Sequence, residues 1–486
     1  MAPSLEASLD FLPHLDLSRV QPYLPKDVYL GAAAAVVGIS MLYVLGLVIH
    51  RLVFSPIARF PGPKIAAVTS WYEFYYDVVK NGRYLFEIER MHEKYGPIVR
   101  INPYELSIRD SEYYDKLYVA GSVRQTDNYE IFASGRFGSF KGTKQVVRLD
   151  HAFLAFSGDV ISRLCIDDPP NFVDDPNFAP EWFELFHTVI KSLPLFMGLP
   201  WLIQLIRLIP ESILMWLDPR SQNFNKFKLM SEGHISAAKR EKAALGNKDT
   251  STMGGRITLF RHLVNSDLPP SELSEERLSK EAQVLLGAGT VSTARTLDFI
   301  CYYIMANPAI RKRLTEELKD IMEGYPEKKP TWAQLEKLVY MQALIKEGLR
   351  LSYGVMHRLP RVSPKQPIQF KQWSIPAGVP VSMSAYFQHT LPHIFPRPLE
   401  FVPERWLDNV TPEMNRNYVP FSKGSRNCLG MNLATCELNF ILSALFRPGG
   451  PDFNLYETDE SDVTQAHDLM LPLPKMDTKG IRVIFH

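Results

Sequence analysis

Phe421-Ser422-Lys423-Gly424-Ser425-Arg426-Asn427-Cys428-Leu429-Gly430 runs directly into Met431-Asn432-Leu433-Ala434-Thr435-Cys436-Glu437-Leu438, a stretch with helical periodicity. A cysteine in a glycine-bearing loop just before a helix receives backbone N–H groups and the positive end of the helix dipole. Both favour thiolate over thiol, and a thiolate is what a soft metal ligand requires. Gly424 and Gly430 let the backbone come close to a flat ligand, Phe421 shields the sulfur, and Arg426 is placed to meet an anionic group such as a carboxylate. For a lone cysteine the ordinary reading is a buried thiol in a capping loop. Here the whole spacing FxxGxRxCxG is present, and chance matches to five fixed positions are rare.

The rest of the chain suits a large globular body. It has 486 residues, 46% of them hydrophobic, with 54 Lys+Arg against 53 Asp+Glu, which excludes a disordered or fibrous chain. The balanced charge lacks the basic footprint of a nucleic-acid binder. Four cysteines (Cys165, Cys301, Cys428, Cys436) without a CxxC spacing argue against a disulfide scaffold. Cys428 and Cys436 stand eight apart with no histidine at ligand spacing, which argues against zinc.

Val28 to Ile49 carries no charge over 22 residues, enough to span a bilayer. Residues 1–27 hold more acidic than basic groups, so a retained anchor is expected rather than a cleaved signal peptide. Arg51, Arg59 and Lys64 follow the span, which puts residues 1–27 in the lumen and the body in the cytosol. The expected organisation is a lumenal N-terminus (1–27), a single-pass anchor (28–50), a proline-rich hinge (51–64) containing Pro61-Gly62-Pro63, and one domain over 65–486. A second apolar run, Leu193 to Ile206, is broken by Pro194 and Pro200 and can only dip into an interface. Asn409-Val410-Thr411 matches a glycosylation acceptor, idle on the cytosolic side.

Within the body, Ile98–Ile101 and Glu105–Ile108 flank an Asn-Pro turn and read as a hairpin. Leu278 to Met305 reads as a long helix ended by Asn307-Pro308, followed by helices over 309–322 and 331–353. Residues 368–388 alternate around Pro376-Ala377-Gly378 and read as a small sheet. The class is mainly α with a minor β region.

The cysteine loop resembles the haem-binding signature of the cytochrome P450 superfamily, and other stretches agree in the expected order. Glu347-Gly348-Leu349-Arg350 is similar to the family's ExxR element, and Pro403-Glu404-Arg405-Trp406 supplies its second arginine. The resemblance, of fungal microsomal flavour, covers nearly all of residues 28–486. It implies the P450 fold behind an N-terminal transmembrane helix, in the endoplasmic reticulum membrane. It implies a haem whose iron is held by Cys428 as axial thiolate, which favours O–O cleavage. Phe421 and Arg426 then belong to the haem site, Arg361 resembles a propionate contact, and Glu347, Arg350 and Arg405 form a structural network. The implied activity is an NADPH-dependent monooxygenase (EC 1.14.-.-) of secondary metabolism, taking electrons from a membrane-bound NADPH-cytochrome P450 reductase and using O2.

Three departures stand out. On the central helix, Ala288-Gly289-Thr290-Val291-Ser292-Thr293 has Val291 where related enzymes place an acid and Ser292 where they place the first threonine. Ala288 and Gly289 can still open room beside the haem, and the Ser292 hydroxyl can still donate there, so Ser292 and Thr293 are the catalytic candidates. At Val147-Arg148-Leu149-Asp150-His151 the aromatic-to-arginine spacing expected of a propionate-covering helix is absent, leaving Arg148 as the substitute. Around Phe156-Ser157-Gly158-Asp159 two family segments look directly joined, which implies an internal deletion of a few dozen residues near 157–159.

Candidate pocket walls are Phe132–Phe140, Val284, Leu285, Ala288, Val355, Met356 and Leu469–Leu473, which suggest an apolar small molecule that is hydroxylated, epoxidised or further oxidised. Val291 motivates an alternative, a haem-thiolate isomerase or dehydratase without external O2. The deletion motivates another, a catalytically impaired haem-binding membrane protein.

Overall fold

The computed structural model describes residues 26–117, 145–206, 208–210, 213, 214, 216, 221–244, 258–408 and 410–486. The expected pocket loop Phe132–Phe140 and Asn409 lie outside the described residues. The chain divides into two compact units, Met1–Arg59 and Phe60–His486. In the first, helix α1 (Lys26–Ile49) exposes Leu30, Ile39, Leu42 and Leu45, and the apolar stretch Ala33–Phe54 is long enough to cross a membrane.

The second unit is mostly helical. Helices α2 (Leu149–Cys165), α3 (Pro180–Gly198), α4 (Glu275–Ala306), α5 (Val339–Ser352) and α6 (Met431–Phe446) frame its core. The long α4 is its spine. Ser274 Oγ accepts from Arg277 N–H at its start. Asn307 Oδ1 caps the next helix, Pro308–Leu318, at the expected Asn-Pro break. Small residues let neighbours press onto α4. A Cβ at Gly289 would lie 2.7 Å from Ile161 Cγ1 of α2, and one at Gly348 of α5 would collide with Ile300. Phe153, Leu297, Ile300, Leu344 and Leu442 fill the space between these helices.

The minor β region has the expected hairpin. Strands Ile98–Arg100 and Leu106–Ile108 pair antiparallel, with Asn102 Oδ1 accepting from the Tyr104 and Glu105 N–H groups in the turn. Strand Pro380–Ser382 adds in parallel to Leu106–Ile108, and Arg361–Val362 pairs antiparallel on its far side. Strand Val146–Arg148 pairs with Arg482–Phe485, which also carries Phe453–Leu455.

Two expectations change. The stretch 368–388 forms strands Ile368–Phe370, Trp373–Ile375 and Pro380–Ser382 but ends in a helix, Ala385–His389, because Ser384 Oγ accepts from Tyr386 N–H and caps it. The single helix read over 331–353 is two, Trp332–Leu335 and α5. Through Ser157, Gly158 and Asp159, α2 is one regular buried helix, and the Asp159 carboxylate accepts from the Phe172 and Val173 N–H groups. The run Leu193–Ile206 is split as read, Pro180–Gly198 and Pro200–Ile206 meeting at a bend of 113°.

Gly348→Ala is expected to destabilise the body by about 1–3 kcal/mol through overpacking against Ile300. Urea titration should show Ile300→Ala, harmful alone, relieving much of that cost in the double variant.

Candidate functional site

The site begins with a charge buried in the core. Glu347 and Arg350 lie three apart on α5, so their side chains share one face, and both are wholly inaccessible to solvent. Arg350 Nε and Nη2 donate to Glu347 Oε2 and Oε1 at 2.9 and 2.8 Å. Val402 N–H (2.9 Å) and Arg405 Nε (3.0 Å) also donate to Oε1, and Trp406 Nε1 donates to Oε2 at 2.8 Å. Arg350 spends its remaining donors on the carbonyls of His389, Pro398 and Glu400. Burial pushes the Glu347 carboxyl up, but Arg350 and then Arg405 more than offset it, so the group sits below its usual range. The structure therefore brings Glu347, Arg350 and Arg405 together.

From this network one histidine, which the sequence reading did not single out, reaches the cysteine loop. His389 Nδ1 lies 2.7 Å from the Arg350 carbonyl, and Nε2 accepts from Val419 N–H at 2.9 Å. An amide can only donate, so Nε2 is the acceptor and Nδ1 carries the proton. Burial and the Arg350 charge pull the His389 pKa to about 3, which keeps the ring neutral. Tyr353 and Tyr418 stack on it. Beside it, Gly354 (φ +62°) leaves no room for a Cβ, which would meet the Pro420 carbonyl at 2.9 Å. The only sequence signal was an unexplained histidine in an aromatic stretch, and such residues are ordinarily satisfied core groups.

Past Pro420 the backbone turns at Ser422 (φ +59°) and Gly424 (φ +81°), makes a single 3₁₀ turn over Gly424–Arg426, and returns so that Cys428 N–H donates to the Phe421 carbonyl at 2.9 Å. Gly430 then precedes α6. Cys428 reaches solvent, as do Arg426 and Leu429. Enclosure by the loop raises its thiol above the usual range, with the Gly430 N–H pulling it back. A bound metal ion would favour the thiolate, because it is the larger local charge. Among the described residues no group of three His, Cys, Asp or Glu could hold a metal ion. A lone thiolate fits a metal that arrives with most of its other ligands, and a haem iron is such a metal. A Cβ at Gly430 would meet nothing within 4 Å, so the backbone at the end of the loop is uncovered.

The other expected residues separate. Ser292 Oγ donates to the Ala288 carbonyl at 2.8 Å on a side of α4 that solvent reaches, whereas Thr293 is buried. Gly289 faces Ile161, so its role is close packing of α2 on α4 rather than room beside a ligand. Arg361 Nη1 donates to the Pro360 carbonyl at 3.1 Å. Arg148 binds the Asp150 carboxylate through Nε (3.2 Å) and Nη2 (2.5 Å) and lies over the Phe183 ring. Its charge is committed there, in a cavity lined also by Arg295 and Asp298 and by none of the cysteine-loop residues. Of the expected pocket walls, Met356 and Leu469 are core, whereas Val284 and Ala288 are exposed.

The cytochrome P450 family model matches residues 135–472. The chain is 62% identical to the cytochrome P450 monooxygenase oblB of Aspergillus clavatus over 514 residues, covering 95% of this chain and 99% of that one. It is 48% identical to the fusicoccadiene C-8 hydroxylase of Phomopsis amygdali (487 residues; 90% and 93%) and 38% identical to the stellatic acid synthase of Emericella variicolor (528 residues; 94% and 95%). In the first comparison 95% of 486 residues is about 462, so about 52 of the 514 aligned positions have no counterpart in this chain. In the second, 90% of 486 is about 437, against 487 positions, a shortfall of about 50.

Glu347→Gln is expected to cost about 3–5 kcal/mol, because it leaves Arg350 buried without its countercharge; chemical denaturation checks this. Since His389 is neutral when folded and binds a proton when unfolded, its contribution is complete above pH 6.5 and is lost as pH falls towards about 3. His389→Gln, which keeps an acceptor for Val419 N–H, should flatten the stability–pH slope in that window.

Proposed function

Because the chain belongs to the cytochrome P450 family, as a monooxygenase of fungal specialised metabolism that oxidises small molecules, we propose that it works as a haem-thiolate enzyme built on Cys428. The observation that carries this is the preformed loop: Cys428 N–H tied to Phe421, the Gly430 N–H at the sulfur, and the whole turn hung from the Glu347 network through His389. The haem, when bound, supplies the oxidising chemistry. Cys428 gives the thiolate, and the Gly430 N–H holds charge on its sulfur. Arg426 and Arg361 are the cations we assign to the cofactor's carboxylates. Arg148, already paired with Asp150, is dropped from that role. Ser292 holds a proton at Oγ on the accessible side of α4, the one hydroxyl among the two candidates that a small molecule reaches.

The substrate we propose is apolar, in keeping with the relative named for hydroxylating fusicoccadiene at C-8. The isomerase or dehydratase reading and the impaired-protein reading are not favoured, since relatives aligned along 90% or more of the chain are named monooxygenases and hydroxylases. Helix α1 supports a single-pass anchor, which we place in the endoplasmic reticulum with the body cytosolic, where a membrane-bound NADPH-dependent reductase delivers electrons. We assign the shortfall of about 50 residues to chain preceding strand Val146–Arg148, since α2 is regular through Ser157–Asp159. Sequencing the transcript across codons 109–146 tests that placement.

The purified protein, reduced under carbon monoxide, should give a thiolate-type absorption band that Cys428→Ala abolishes; absence of haem uptake by the unmodified chain would overturn the proposal. Ser292→Ala should release more hydrogen peroxide per NADPH consumed, and unchanged coupling would remove Ser292 from the chemistry.

A further inference from the structure

We infer that His357 and Asp468 form a positioning pair that sets the substrate-facing hairpin of the site proposed above, on which this inference rests. Asp468 belongs to strand His467–Leu469, which turns back through Met470 into Leu471–Leu473. It is buried, and both carboxylate oxygens are engaged. Oδ1 accepts from Met470 N–H at 3.1 Å, holding the turn in which Met470 adopts φ +75°, and Oδ2 lies 2.9 Å from His357 Nδ1. One carboxylate therefore both shapes the turn and fastens it to the segment that follows α5.

The anchor on the other side of this pair is rigid. Arg358, next to His357, is buried and pairs with Glu105 (Nε–Oε1 3.1 Å) and Glu73, and Asn102 donates to Glu73 at 2.9 Å. Asp468 N–H donates to the Gly82 carbonyl at 2.8 Å, and a Cβ at Gly82 (φ +72°) would collide with the Asp468 carbonyl. Four stretches far apart in sequence, at Glu73, Glu105, His357-Arg358 and Asp468, thus bring charge into one buried place. Apolar side chains of like volume would give similar or greater stability, so what the ionic arrangement adds is a fixed geometry.

That geometry reaches α4. Leu469 and Leu473 form a small apolar cluster with Ile190 of α3, against which Val291 and Leu471 pack. Val291 adjoins Ser292, so the pair determines where the partly exposed tip residues Met470 and Leu471 lie relative to the helix that carries the hydroxyl. Loosening it should change how a bulky ligand fits and leave the metal centre alone.

The test uses the full-length, haem-loaded protein and two nitrogen ligands read by spectral titration. Imidazole is small enough to report only the metal centre, and clotrimazole is bulky enough to report the surrounding walls. Asp468→Ala is expected to weaken clotrimazole about tenfold, the effect of leaving a buried partner unsatisfied. Imidazole affinity should stay within about twofold, and Asp468→Asn should restore most of the clotrimazole affinity. Equal weakening of both ligands, or of neither, would overturn the inference. If the unmodified chain takes up no haem, the catalytic reading fails and the pair is judged by thermal unfolding of His357→Ala, Asp468→Ala and the double variant. Losses that are less than additive support the coupling, and additive losses reject it.

Discussion

The buried carboxylate of Glu347 is the point from which the site is built. Five donors converge on its two oxygens, from Arg350, Arg405, Trp406 and the Val402 amide, and each comes from a position whose place is thereby fixed. A buried ion pair is poor evidence of stability in itself, because desolvation consumes most of the Coulombic gain. Its effect lies in what cannot move once it forms. Arg350 also holds the carbonyls of His389, Pro398 and Glu400, so α5 dictates the path of the chain before the cysteine loop. His389 carries that constraint one step further, to Val419 and the turn that ends at Cys428.

Much of this was legible in the sequence, and the legible part shares one property: it is local. Glu347 and Arg350 are three apart, the cysteine loop is ten contiguous residues, and the Asn102-Pro103 turn lies between its two strands. Helix α1 announces itself by an uncharged run, and α4 by its apolar period and Asn-Pro end. What was not legible depends on partners distant in sequence. Nothing near His389 predicts that its ring will bridge residues 350 and 419. Gly289 sits in a motif that suggests ligand space, yet its environment is set by Ile161 from another helix. The stretch Ala385–His389 reads as strand because a short apolar run fits both periods, and the Ser384 hydroxyl caps the helix it forms. Arg148 is a local case: its partner Asp150 is two residues away.

The thiol of Cys428 shows why motif and chemistry are separate questions. The loop presents the residue to solvent, burial of the sulfur raises its thiol above the usual range, and the Gly430 N–H pulls it back. On the haem-thiolate reading proposed above, the protein's contribution is placement, and a bound metal would supply the charge that favours the thiolate. The groups that fix the turn before Cys428, Glu347, Arg350, Arg405 and His389, all belong to the aligned part of the chain.

The Glu347 network fixes the cysteine loop independently of any cofactor. Amide hydrogen exchange on cofactor-free protein measures this directly at Val419 and Cys428, whose N–H groups bond to His389 and to the Phe421 carbonyl. The account predicts slow exchange at both, lost at both in Arg405→Ala while α4 stays protected. Rapid exchange at these two amides in the unmodified protein, with α4 protected, would contradict it.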